Sequence, residues 1–223
     1  MIIISTIIMA TYTYDFETDT VTFSNVYRLT DIKWPSAKNY VFGNNYMDLK
    51  GYGNIPDFVE SVRLGDKMHD VDRLYFPPTL KVLMNAVDGC HIPESVEKLE
   101  YSGITFSDSE LPPKLKILKF TYYDLESELT KLPDTLEHLA GYPHSLKKLY
   151  VPKTIKHISI KESSNLMDNL HDYKLESLVI DELSEALENL PPTLKKLYIR
   201  NTDSNIIYLS KSIIPESCEI MWI

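Results

Sequence analysis

The chain has little cysteine, little glycine and no long apolar run, and each shortage excludes a class of protein. Two cysteines in 223 residues, Cys90 and Cys218, are too few for a disulfide framework, so free thiols in a reduced intracellular setting are expected. Glycine, at 7 residues, nowhere forms a phosphate-cradling loop, and H-E-x-x-H, C-x-x-C and G-x-S-x-G are absent too. No 18-residue apolar stretch offers a membrane-spanning helix. The opening MIIISTIIMA is about half the length such a helix needs and has no basic n-region; its Ile and Thr content reads as a β-strand of a soluble, non-secreted protein. Basic residues are the minority, 23 against 32 acidic for a net charge of −9. That balance disfavours a dedicated nucleic-acid or anionic-membrane binder.

Proline is comparatively plentiful, at 13 residues, and every one falls in the same phrase: apolar, Pro, x, x, apolar, x, x, apolar, x, apolar. Copies begin at Ile55, Phe76, Ile92, Leu111, Leu132, Tyr142, Val151, Leu190 and Ile214, with degraded ones at Trp34 and His171, where Asp172 replaces the proline. Leaving out Tyr142, successive starts lie 21, 21, 16, 19, 21, 19, 20, 19 and 24 residues apart. A period near 20 with an L-x-x-L-x-L core is the signature of a leucine-rich-repeat solenoid. The expected fold is about ten coils over 34–223, a parallel sheet on the concave face and short helical, 3-10 or irregular returns on the convex face, as one continuous domain.

The phrase has a physical logic. Proline fixes φ and cannot donate to a ladder, so it marks the corner entering a strand. In LKKLYI, Leu194, Leu197 and Ile199 face inward while Lys196 and Tyr198 alternate outward. Such a strand buries its apolar side only by stacking on the next coil. Acidic segments such as TYYDLESELTK and DELSEALEN read as returns of one helical or 3-10 turn. The copies at Leu132, Tyr142 and Val151 are only 10 and 9 residues apart, which leaves open which of them are strands, with even spacing favouring 142–150 as a return. Residues 1–33 form an expected N-terminal β cap, in which TYTYDFETDTVTFSN is a hairpin turning at Glu17 to Asp19. The last strand, CEIMWI, has no expected cap, and self-association through this edge is anticipated.

Candidate chemistry is thin. Asp66, His69, Asp70 and Asp72 cluster in GDKMHDVDR without the spacing of a cation loop, and read as a solvated return. Cys90 and His91 are adjacent, whereas nucleophile and base usually meet through the fold. Cys218 occupies the slot of Leu194 in the preceding copy and reads as a small core residue. No catalytic, cofactor or metal residue is expected. The outward strand positions are more informative: of 20, only Glu100 is acidic, against four Lys or Arg. Aromatic, Met and basic side chains suit a recognition patch, and Lys98, Lys119, Lys196, Tyr198, Trp222, Met84 and Arg63 are the expected partner contacts. His138 and His157 make that face more positive as pH falls towards about 6.

On WPSAKNYVFGNNYM (Trp34 to Met47) and IPDFVESVRLGDKM (Ile55 to Met68), the chain resembles leucine-rich repeats of the FNIP type, common in amoebae and the large viruses that infect them. The type's pattern runs L-P-x-S-(L/V)-x-x-L-x-F-G-x-x-(F/Y)-N, matched here by Phe42-Gly43 with Tyr46, and by Leu64-Gly65 with Met68; later copies keep only the proline and the strand. The first half of the phrase is also similar to the repeats of bacterial effector ligases, whose catalytic cysteine sits in a separate domain. The resemblance implies protein recognition by the sheet face and supplies no catalytic residue. The expected protein is thus a non-enzymatic interaction module with a protein partner, acidic in surface, and no nucleic acid or membrane. The alternative is a structural component of a viral particle or large assembly.

Overall fold

The computed structural model describes residues 11–25, 33–43, 47–48, 53–66, 68–69, 71–121, 126, 129–200 and 202–223. The expected opening strand, residues 1–10, lies outside them, as does much of the return at 121–131. Twelve strands follow one another in chain order in a single sheet: β1 (Thr11–Asp15), β2 (Thr20–Asn25), β3 (Asn39–Phe42), β4 (Ser61–Arg63), β5 (Val82–Ala86), β6 (Lys98–Tyr101), β7 (Ile117–Phe120), β8 (His138–Ala140), β9 (His157–Glu162), β10 (Ser177–Glu182), β11 (Lys196–Ile199) and β12 (Glu219–Trp222). The chain clusters into two compact units, up to Leu99 and from Glu100.

In the first unit the hairpin β1–β2 is antiparallel, and β2, β3, β4 and β5 pair in parallel. The hairpin is held by rings. Phe23 packs 5.8 Å from Trp34, 5.3 Å from Tyr40 and 5.1 Å from Phe42, mixing edge and stacked contacts. Two short parallel pairs, Met47–Asp48 with Met68–His69 and Gly53–Asn54 with Leu74–Tyr75, join the returns. Glycine is required where coils touch: a Cβ on Gly65 would stand 2.2 Å from the carbonyl oxygen of Gly43.

In the second unit β7 to β12 pair in parallel throughout. The alternation places Leu118, Leu139, Ile158, Leu178 and Leu197 in one buried row. Full burial of each contributes about 2 kcal/mol of transfer free energy. The Tyr142 copy makes no strand: Ser145 caps a 3-10 turn, Leu146–Lys148, whose Leu146 is buried. Residues 142–150 are therefore a return, since nine or ten residues cannot supply both a strand and its way back. Residues 183–189 form no helix; Leu183 and Leu187 are buried instead. An α-helix, α1 (Asp203–Leu209), is capped by Thr202, whose side chain accepts from Asn205 N–H. Asn205 is wholly buried, and its amide accepts from Leu183 N–H (2.8 Å) and donates to the carbonyls of Asp181 (2.9 Å) and Arg200 (2.8 Å).

The proline phrase builds a corner in three layers of hydrogen bonds. First, the proline carbonyl accepts from the N–H three residues on, as in Leu136 to Pro133, Ile155 to Pro152 and Leu194 to Pro191; this closes a turn ahead of the strand. Second, the threonine before the first core residue donates to the preceding coil: Thr135 to Leu115, Thr154 to Leu136 and Thr193 to Leu175, at 2.7 to 2.9 Å. Third, in most phrases the carbonyl of the sixth residue receives two successive N–H groups from the next coil. Lys156 and His157 both donate to Glu137, Glu176 and Ser177 to Lys156, and Lys195 and Lys196 to Glu176. This doubled rung absorbs one residue, as a bulge does, and sets the register of every strand after it. Side chains at the same place pair as well: Lys38 with Glu60 at 3.0 Å, Lys156 with Glu137 and Lys195 with Glu176, both at 2.7 Å.

Two outcomes follow. Asn205→Ala leaves two carbonyls and one N–H without partners and should destabilise the second unit by about 3 kcal/mol, read as a lower urea midpoint. The lysine partners hold the carboxyls of Glu60, Glu137 and Glu176 below the usual glutamate range. Their contribution is therefore complete above the unfolded glutamate pKa and is lost as pH falls through the lower folded values. Thermal unfolding followed from pH 6 to 3 should show a fall in midpoint, shallower in Glu137→Gln, which has no proton to bind at that rung.

Candidate functional site

Two adjoining columns of outward side chains cross the second unit's sheet. The first runs Ile117, His138, His157, Ser177, Lys196; the second runs Lys119, Ala140, Ser159, Val179, Tyr198, each residue opposite the next in register. None of the ten is acidic. Ala140, Ser159 and Val179 make a low floor between Lys119 and Tyr198, which stand four strand spacings, about 19 Å, apart. The imidazoles of His138 and His157 lie 5.5 Å apart between centroids, and His157 Nδ1 is 2.8 Å from Ser177 Oγ.

The expected contacts fall into groups. Lys119 and Lys196 with Tyr198 bracket this floor. Lys119 is tethered at 3.4 Å to Glu100, whereas Lys196 is exposed and has no ion-pair partner among the described residues. In the first unit Arg63 lies opposite Met84, with Arg63 exposed and Met84 half-buried. Lys98 is exposed at the start of β6.

Trp222 does not join the column of Tyr198. In β12 the register is Lys196 opposite Glu219, Leu197 opposite Ile220, Tyr198 opposite Met221 and Ile199 opposite Trp222. Ile220 and Trp222 thus share the columns of core residues, and Glu219 and Met221 continue the outward ones. The cause is the rung. Of the two N–H groups that meet one carbonyl elsewhere, only Glu219 N–H donates to Lys195, so no residue is absorbed and the strand runs one place early. Cys218 is correspondingly half-buried and not a full core residue.

Sequence reasoning passed over the sixth-place residues themselves. Their signal was available in the row of Lys and Glu directly after the first core residue of each phrase. These ion pairs occupy cations at the border of the face; within its columns Lys119 is held by Glu100, and Lys196 has no ion-pair partner among the described residues.

Burial pushes the Cys90 thiol up to about 11, the opposite of what a nucleophile needs, and His91 stacks on Tyr75 with rings 6.3 Å apart. Asp66 accepts from the Asn85 amide at 3.0 Å; Asp70 lies outside the described residues. Among the described residues, no group of three or more His, Cys, Asp or Glu could hold a metal ion, and no helix is long and apolar enough to cross a membrane. The return side of the second unit has a groove of about 550 Å³ lined by Leu149, Tyr150, Lys153 and Tyr173, where Lys153 sits 3.8 Å over the Tyr173 ring.

No family model matches the sequence, and no curated protein matches it. Among solved structures, the chain is similar to CroV588, described as a novel circular LRR protein, with a TM-score of 0.54 and 15% identity over 95% of this chain. The chain spans 41% of the length of that protein. At this identity the likeness is one of fold. With its long, mostly parallel sheet of twelve strands and few helices, the chain has the fold of a leucine-rich-repeat solenoid.

Proposed function

We propose that the chain is a non-catalytic recognition module that takes an acidic protein surface on the face of β7 to β11. The observation that carries this reading is the absence of carboxylates from the ten positions of these two columns, in a chain of net charge −9; the outward carboxylate next along β10, Asp181, is paired with Arg200. Leucine-rich-repeat folds generally serve protein–protein interaction, and the floor between Lys119 and Tyr198 offers small side chains bordered by a long cation and an amphipathic ring, as recognition surfaces do. The FNIP type belongs to the same proposal. Its Phe-Gly element is supported by Gly65, whose position leaves no space for a side chain against Gly43.

A second reading, packing within a large assembly, rests on exposed apolar side chains in and around α1 and β12: Ile206, Ile207, Ile213, Ile220, Trp222 and Ile223. The two readings separate by experiment. Affinity capture with the wild type should retain acidic partners that Lys119→Glu with Tyr198→Ala loses at least about tenfold, while Tyr150→Ala on the return side leaves them bound. Partners unaffected by the double change would overturn the face reading. Self-association that survives it and fails after Trp222→Asp would support assembly.

A further inference from the structure

Followed along the chain, the sixth-place residues, with Lys38 at the equivalent rung of the shorter Trp34 phrase, alternate in sign without a break: Lys38, Glu60, Lys81, Glu97, Lys116, Glu137, Lys156, Glu176, Lys195, Glu219. The hairpin continues the pattern on the other side of Lys38, where Asp19 stands opposite it in register and accepts from its backbone N–H at 3.0 Å. Nothing in the strand or the turn requires alternation. Lysine at every rung would be as soluble, and the pairing is invisible within any one phrase.

At Glu60 a rung contacts both neighbours, and at Glu137 and Glu176 one neighbour is in contact while the other acts at longer range. Glu60 lies 3.0 Å from Lys38 and 3.6 Å from Lys81. Glu137 is 2.7 Å from Lys156 and also feels Lys116 from the other side. Glu176 is 2.7 Å from Lys195 and is further stabilised as the anion by Lys156. The rungs also share the backbone carbonyl on which successive coils are hung, so charge and register are set at the same point.

We propose that this column is a specificity code for coil stacking: a coil with a cationic rung accepts only carboxylate-rung coils on either side, and the operative repeat is a pair of coils. Like-sign rungs recur 40 residues apart from Lys116 to Lys156 and 39 apart from Lys156 to Lys195. Stacking a coil on the next but one, with the coil between left out, brings like charges together at that junction, whereas leaving out two coils restores an opposite-charge pair there. The coils share one phrase and similar core residues, so the core discriminates poorly between these arrangements. The rungs supply the difference.

The test uses the full chain. Lys156→Glu alone makes two like-charge junctions, with Glu137 and with Glu176. The fourfold reversal Lys156→Glu, Glu176→Lys, Lys195→Glu, Glu219→Lys makes only one, at Glu137, and leaves the net charge unchanged. Lys174→Glu, exposed and off the column, controls for net charge, and Lys156→Gln is a mild variant that keeps the experiment readable should the reversal fail to fold. The expected order of thermal midpoint is wild type, then the fourfold reversal, then Lys156→Glu. The single change costs on the order of 4 °C and the fourfold about half as much, with Lys156→Gln above Lys156→Glu and Lys174→Glu near wild type. At 1 M salt, where screening acts within about 3 Å, the spread should collapse. A fourfold reversal at or below the single change, or a single change no worse than Lys174→Glu, would overturn the code.

Discussion

Most strands of the repeats, β4, β5, β6 and β8 to β11, hang from one backbone carbonyl at the corner of the coil before them. That carbonyl accepts two N–H groups, so one residue of the incoming coil is absorbed at the corner and the next enters the ladder in register. The arrangement at Lys156, whose carbonyl takes both Glu176 and Ser177, fixes which side chains point in and which point out over the following four residues. Core burial then follows by alternation, because Leu178 and Ile180 can reach the interior only if Ser177 and Val179 do not.

The last strand shows the dependence by breaking it. At Glu219 the carbonyl of Lys195 receives one N–H group, the strand advances one place, and a tryptophan placed on the outer face by pattern falls among the core columns. A single hydrogen bond thus exchanges the faces of four side chains. The proline turn before it is intact, since Cys218 still donates to Pro215. Turn and register are therefore separate properties of the coil.

The face and the corner also divide the charge between them. Acidic residues at the rungs are neutralised by lysines one coil away, so the acidic surplus does not spread onto the outward columns of β7 to β11. Those columns keep cationic, aromatic, imidazole, aliphatic and small side chains. A surface of that kind can meet an acidic partner although the whole chain is acidic, because fields between exposed groups fade over about a Debye length.

The sequence by itself determined the repeat, the parallel sheet and the inward residues of the coils before the last, because a proline every 20 or so residues and an alternating apolar pattern allow few other solutions. The hairpin at Thr11–Asn25 was legible for the same reason of local period. Tertiary structure decided what rests on neighbours in space. It made Tyr142 a buried return residue, although its phrase matches the pattern well, because Leu132 and Val151 had already claimed the adjacent strands. It moved Trp222 off the outer face, because register is set by a hydrogen bond from another coil. It also showed the alternating rungs to be contacts, since Glu137 and Lys156 meet only when coils 19 residues apart in the chain are stacked one strand spacing apart.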